Sequence, residues 1–210
     1  MTDLRPLDTP APTAAARSSE VDGRVLRGAR TKGRIVQALL DLLTDGELNP
    51  TAAAIAERAG VSVRSVFQHF DDLEALYADL AAEQRARVAP LLESLERPTS
   101  LDARIDAMVD QRRELFETIT PVRHAIRGRA ADSPALQHRL QEISNVLRHQ
   151  VERQFDTELA AAGPAESAVL GDVVDSVTSF ETWDRFRTVQ GLSPSATADA
   201  LRLALRRLLG

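Results

Sequence analysis

Five cations, Arg24, Arg27, Arg30, Lys32 and Arg34, fall between residues 24 and 34 with no acid among them. A short positive run just ahead of an amphipathic segment suits anions, of which nucleic acid is the extreme case. The same run could serve only to keep a terminus soluble. Further along, residues 51–70 read Thr-Ala-Ala-Ala-Ile-Ala-Glu-Arg-Ala-Gly-Val-Ser-Val-Arg-Ser-Val-Phe-Gln-His-Phe. Once apolar residues have been assigned to a core, Arg64, Ser65, Gln68 and His69 remain outside. These side chains can meet phosphate oxygens and base edges. Phe67 either packs the hairpin or lies along a nucleic-acid backbone, and His69 either contacts nucleic acid or makes a structural hydrogen bond.

Other chemistries lack their residues. The chain contains no cysteine, which excludes disulfides, thiolate zinc sites and cysteine nucleophiles together. His124, His138 and His149 match no zinc-ligand spacing, so no metal site is expected. No glycine-rich phosphate loop, nucleophile elbow or close acid/base pair stands out, and neither an enzyme nor a cofactor is expected. Glu142, Glu152 and Glu158 form a carboxylate-rich face of the kind that is normally solvated.

The net charge of −5 over 210 residues argues against nucleic acid only until it is located. Residues 1–70 carry +1 and residues 71–210 carry −6. An acidic body therefore accompanies a small head with its own basic stretch. With 43% apolar residues but only 4% aromatic ones, leucine, alanine and valine must fill the core. No apolar run approaches a membrane span, and Arg5 is followed by a Pro-, Ala- and Thr-rich stretch without the apolar core of a signal peptide, so a cytoplasmic location is expected.

The elements that must position these side chains are helices, since helical periodicity recurs almost everywhere and strand alternation does not. Ile35, Leu39, Leu42 and Leu43 line a first helix ending near Gly46. A second covers Thr51 to Ala59, Gly60 turns the chain, and a third runs from Ser62, its N-cap, to His69. Ile55, Ala56, Val61 and Val66 would lock the pair together, as a helix-turn-helix requires. A fourth helix starts at Asp71, paired with Glu74 as a capping box, and should kink at Pro90 and close at Pro98. Five further segments are expected: a fifth helix ended or bent by Pro121, a short sixth over 121–130, a seventh from Pro134 to Phe155, an eighth from Val169 to Gln190, and a last from Ser195 to Leu208. The fold class is thus all-α with about nine helices. Residues 1–23 form a tail, 24–70 a basic arm and helix-turn-helix domain, and 71–210 a helical body.

Within the body, Met108, Phe116, Phe155, Phe180 and Trp183 suit either an apolar ligand pocket or an ordinary core. Arg112 lies on the apolar line of its helix and needs an anionic partner, either a neighbouring Asp or Glu or a ligand carboxylate; Arg123 is its companion candidate.

With Thr51, Ile55-Ala56, Ala59-Gly60-Val61-Ser62, Ser65, Phe67 and His69-Phe70 in place, the sequence resembles the tetracycline-repressor (TetR) family of bacterial transcriptional regulators over about residues 30–80. The resemblance implies a homodimer that binds a palindromic double-stranded DNA operator and is released from it by a small-molecule effector. It implies that helices one to three bind DNA and that the last two helices pair with those of a second copy. By the same resemblance Thr51 meets phosphate, Arg64 and Gln68 read bases, and Ser62, Ser65, Phe67 and His69 lie on or beside the DNA face. Arg27, Arg30 and Lys32 form a backbone or minor-groove arm. Many members of that family place a lysine near the start of helix four. Asp71, Asp72 and Glu74 stand there in this chain, which shifts the expected attraction onto the arm.

Overall fold

The computed structural model describes residues 14–93, 95–130 and 134–210, and among these it contains helices and no strand. In chain order the helices are α1 (Ala14–Thr44), α2 (Ala52–Ala59), α3 (Val63–His69), α4 (Leu73–Glu93), α5 (Leu101–Ala130), α6 (Pro134–Gln154), α7 (Asp156–Ala161), α8 (Ser167–Val177), α9 (Phe180–Asp184) and α10 (Pro194–Leu209). A π-helical turn, Arg185–Val189, prolongs α9.

Two apolar cores organise them. The first gathers Ile35, Leu39, Leu42 and Leu43 of α1, Ile55 and Ala56 of α2 and Val66 of α3. It does not stop at the end of the helix-turn-helix: Leu76, Tyr77 and Leu80 of α4 and Val122 and Ala125 of α5 complete it. The second core fills the body around Met108, Phe116, Phe155, Trp183 and Leu201.

Where the expected boundaries shift, local chemistry supplies the reason. The basic stretch is not a separate arm, because α1 runs through it from Ala14 to Thr44. The N-cap of α4 is Asp72, not Asp71: its Oδ1 accepts the Ala75 N–H at 2.7 Å. Pro121 ends nothing, and α5 continues through it to Ala130, absorbing the expected sixth helix. A proline inside a helix forfeits one backbone hydrogen bond but can be carried where packing on both sides holds the axis. Here Phe116 and Leu115 are buried before it, and Val122 and Ala125 after it. The stripe from Pro134 breaks at Phe155, after which α7 begins.

The expected single helix from Val169 to Gln190 is two. Residues 176–179 read Ser-Val-Thr-Ser, and their hydroxyls compete for the backbone. Thr178 Oγ1 donates to the Val174 carbonyl at 2.9 Å, and Ser179 caps α9 by accepting the Thr182 N–H at 3.3 Å.

Buried glutamines tie the end of α4 to the body. The last carbonyls of a helix have no partner within it. Gln111 of α5 donates to the Leu91 carbonyl, and Gln150 and Gln154 of α6 donate to those of Leu92 (2.9 Å) and Glu96 (3.0 Å). The helix leading out of the head is thus anchored at its far end. Among the described residues no helix is long and apolar enough to cross a membrane.

Candidate nucleic-acid interface

The helix-turn-helix is built from two side-chain caps and one glycine. Thr51 Oγ1 accepts the Ala54 N–H at 3.2 Å and starts α2; Ser62 Oγ accepts the Ser65 N–H at 3.1 Å and starts α3. Between them Gly60 takes φ +64°, the left-handed conformation that a side chain would penalise. Its N–H and that of Val61 return to the Glu57 and Ala56 carbonyls, closing the end of α2. Val66 is fully buried and turns α3 so that the opposite face is outward.

On that outward face Arg64 and Gln68 are exposed, Phe67 is 49% exposed and His69 is half-buried. A phenylalanine half in water in a seven-residue helix stands outside the core of the head. Arg64, Phe67 and Gln68 have no polar or ring partner among the described residues and are available to an external surface. Ser62 and Thr51 are occupied as caps, but each hydroxyl keeps a donor proton for a phosphate oxygen. Ser65 is half-buried behind this face.

The basic stretch divides by helical geometry. Arg27, Arg30 and Arg34 follow each other at three and four residues and share one side of α1. Arg34 donates to the Gly60 carbonyl at 3.3 Å, which fixes that side against the turn. Arg27 and Arg30 continue it as exposed cations. The His69 ring lies 3.9 Å from where a Cβ on Gly28 would sit, so this part of α1 runs beside the end of α3. Lys32 points elsewhere. Its ammonium meets Asp79 of α4 at 2.5 Å and stands over the Phe70 ring at 5.3 Å. Of the three cations expected to contact DNA, Arg27 and Arg30 have no partner among the described residues, whereas Lys32 serves the contact between α1 and α4. Its place on the opposite edge of the α1 stripe follows from its spacing, five residues after Arg27 and two after Arg30.

In the body the expected pocket residues separate in the same way. Met108, Phe116, Phe155 and Trp183 are wholly buried core. Trp183 Nε1 donates to Glu117 Oε1 at 2.9 Å, and Arg187 braces the same carboxylate at 2.8 Å. Arg112 is also fully buried, but its partners are neutral: Gln111 Oε1, Gln150 Oε1 at 2.7 Å and the Leu147 carbonyl at 3.1 Å. The expected carboxylate is not there. Burial pulls the Arg112 guanidinium down to about 10, with Asp175 opposing from a distance, so it is still charged at neutral pH. Burial in turn pushes the Asp175 carboxyl above its usual range, against Arg148 and Arg112.

Only Arg123 and Phe180 border open space. The Arg123 guanidinium stacks 4.2 Å above the Phe180 ring and donates to the exposed Glu181 at 2.8 Å. Beside them a cleft of about 490 Å³ opens past His124, Leu140 and Asp184. His124 Nε2 lies 2.7 Å from Asp184 Oδ1 within it. Arg202 and Arg206 of α10 bond to Asp106, Asp110 and Asp102 of α5.

Sequence reasoning missed the buried glutamines. The signal was present for Gln84, which falls in the apolar stripe of α4 between Leu80 and Val88.

The fold and the free face of α3 define a helix-turn-helix, DNA-binding class of protein, with a helical body behind the reading head. Comparison with known proteins agrees. Residues 35–80 match the model of the tetR family of bacterial regulatory proteins. A transcriptional regulator from Rhodococcus sp. RHA1 has the same fold at 20% identity with a TM-score of 0.62, covering 85% of this chain and 95% of that one. One from Aquifex aeolicus VF5 gives 14% and 0.60 over 85% and 99%. A TetR-like regulator from Rhodococcus sp. RHA1 gives 14% and 0.58 over 84% and 94%. No curated protein matches the chain. Residues 35–80 thus match the N-terminal, DNA-binding model of the tetR family, and the chain shares the fold of these solved regulators.

Proposed function

We propose that the protein is a ligand-responsive repressor that binds a palindromic operator as a homodimer and leaves it when a small molecule occupies the body. The observation that carries the reading is the outward face of α3, where Arg64, Phe67 and Gln68 stand exposed and unengaged beside Arg27 and Arg30. Arg64 and Gln68 read bases. Thr51, Ser62, Ser65 and His69 hold the backbone, and Arg27 and Arg30 supply non-specific attraction. Lys32 assists only if it leaves Asp79, an exchange that an exposed ion pair permits at little cost.

Exposed Val169 and Val173 on α8 and Leu203 on α10 support pairing of these helices with those of a second copy. Arg207 is exposed on α10 and flanks that surface. Two coupled bodies would set the separation of the two α3 helices, and only one setting would fit successive major grooves, about 34 to 36 Å apart. An effector works by preferring the other setting; equal affinity for both would release nothing.

Fluorescence anisotropy with DNA from upstream of the gene, at two salt concentrations, tests the reading. Steeply salt-dependent binding to a two-fold symmetric site is expected, and replacing Arg27 and Arg30 together by alanine should lower affinity for all sequences and flatten the salt slope by about 2. Salt-insensitive binding, or an unchanged slope in the double variant, refutes it.

A further inference from the structure

The cleft of about 490 Å³ is walled by α5, α6 and α9 with its π-helical turn, and its volume is that of a small-molecule site. Ile126, Leu140 and Val189 make part of the wall apolar. Its ionic groups are not equally engaged. Asp184 is taken up by His124, whose Nε2 stands 2.7 Å from its Oδ1. Arg185 is exposed and meets no acceptor among the described residues. Arg123 is intermediate: its side chain is only 19% exposed, yet its one hydrogen bond goes to Glu181, which is 71% exposed. The stack on Phe180 covers a face of the guanidinium and fixes its plane, and the rest of its N–H fork meets no acceptor among the described residues.

The cleft therefore offers donors in excess of acceptors. An ion pair whose acid stands mostly in water adds little stability, so Glu181 can be exchanged at small cost. A guest's carboxylate brings two oxygens to the planar fork, and an apolar body behind it leaves water against Ile126, Leu140 and Val189. A cationic guest would have to take Glu181 from Arg123 or Asp184 from His124, and would meet Arg185 as well. A neutral guest leaves the free donors with no charged partner. Arg123, Phe180 and Glu181 also border a second cleft of about 410 Å³, but Asp175 lines that one and not the first, so an anion is favoured on the first side.

We infer that this cleft binds a small organic acid with an apolar body, and that the acid's carboxylate replaces that of Glu181 on the Arg123 guanidinium. This rests on the ligand-responsive reading above and gives the chemical class of its ligand. It makes Arg123 the residue that selects an acid, and Glu181 a resident competitor that the acid displaces. Removing the competitor should strengthen binding, an effect that a merely structural ion pair would not produce.

Octanoate and octanamide provide the probes, since they share a chain and a head-group shape and differ in charge. Calorimetric titration into the full chain should show octanoate binding about tenfold or more tightly than octanamide. Arg123→Gln, verified as folded by circular dichroism, should bring the two to about equal affinity. Glu181→Gln changes an exposed side chain, so the test does not depend on the fold tolerating the first variant; it should tighten octanoate by about two- to fivefold and leave octanamide unchanged. Equal binding of the two probes to the unaltered protein, no binding of octanoate, a preference that survives Arg123→Gln, or unchanged or weaker octanoate binding in Glu181→Gln overturns the inference. Anisotropy with upstream DNA, run with and without octanoate, separates it from the reading it rests on. DNA binding with neither probe bound removes the acid site and leaves the DNA reading intact. Arg123-dependent binding of octanoate with unaltered DNA affinity establishes the site and removes the ligand response.

Discussion

The reading head and the body handle polar groups in opposite ways. In the head, polar side chains sit at the edges: Thr51 and Ser62 start helices, Arg34 steadies the turn, and Arg64 and Gln68 are left in water. In the body they go inside. Gln111, Arg112, Gln150 and Gln154 form a buried network, and Trp183 is bonded to a carboxylate. The head's chemistry therefore depends on what its surface leaves unengaged, whereas the body's depends on which buried groups are satisfied and which are not. A surface can exchange contacts with a long polyanion in any solvent-facing direction. An enclosed site can select a small guest only through groups already removed from water.

Substitutions can break this contrast. The largest effect should come from Trp183→Ala, which empties a fully buried site and removes one of the donors to Glu117; a loss of about 3 to 5 kcal/mol in urea denaturation is expected. Phe67→Ala in the head should change stability by less than about 0.5 kcal/mol, since the ring is half in water. A loss of similar size for both would mean that the ring of Phe67 is structural and the contrast is wrong.

Next in size is Arg64→Ala, expected to weaken operator binding by about 1 to 3 kcal/mol while the denaturation midpoint stays unchanged. Anisotropy on the operator and on scrambled DNA checks it, because a base contact must be lost on the operator alone. If both DNAs lose equally, Arg64 is a phosphate contact and the reading falls on Gln68.

The smallest effect tests the body's electrostatics. Burial raises the Asp175 carboxyl above its unfolded value, so its neutral form suits the fold and its ionised form does not. Stability from this group is complete below the unfolded pKa and is lost as pH rises through the folded one. Asp175→Asn should therefore raise the thermal midpoint at pH 7, and the advantage should shrink as the pH is lowered towards 4. A midpoint below that of the unaltered protein at pH 7 would mean that attraction to Arg112 and Arg148 outweighs burial.

Legibility followed the same division. The head could be read closely because each of its devices is local. Thr51 and Ser62 cap helices that begin one residue later, and Gly60 makes a turn whose hydrogen bonds span a few residues. The break at Ser179 and the continuity of α5 through Pro121 were not legible, since both depend on which distant surfaces hold the helix on either side. The ion pair of Lys32 was out of reach for a related reason: its charge was visible, but Asp79 becomes its neighbour only when α4 packs on α1.

The sequence by itself determined an all-helical chain, a helix-turn-helix with its caps and turn, and a division into a basic stretch and an acidic body. Those properties come from backbone propensities, spacing and summed charge, which act over a few residues or over none in particular. Only the tertiary structure decided which cations stay unengaged, why Arg112 is buried among neutral acceptors, and that the buried Oε1 of Gln84 accepts no hydrogen bond among the described residues. Satisfaction of a buried polar group is a property of what folding brings within about 3 Å of it, and a linear sequence does not contain that distance.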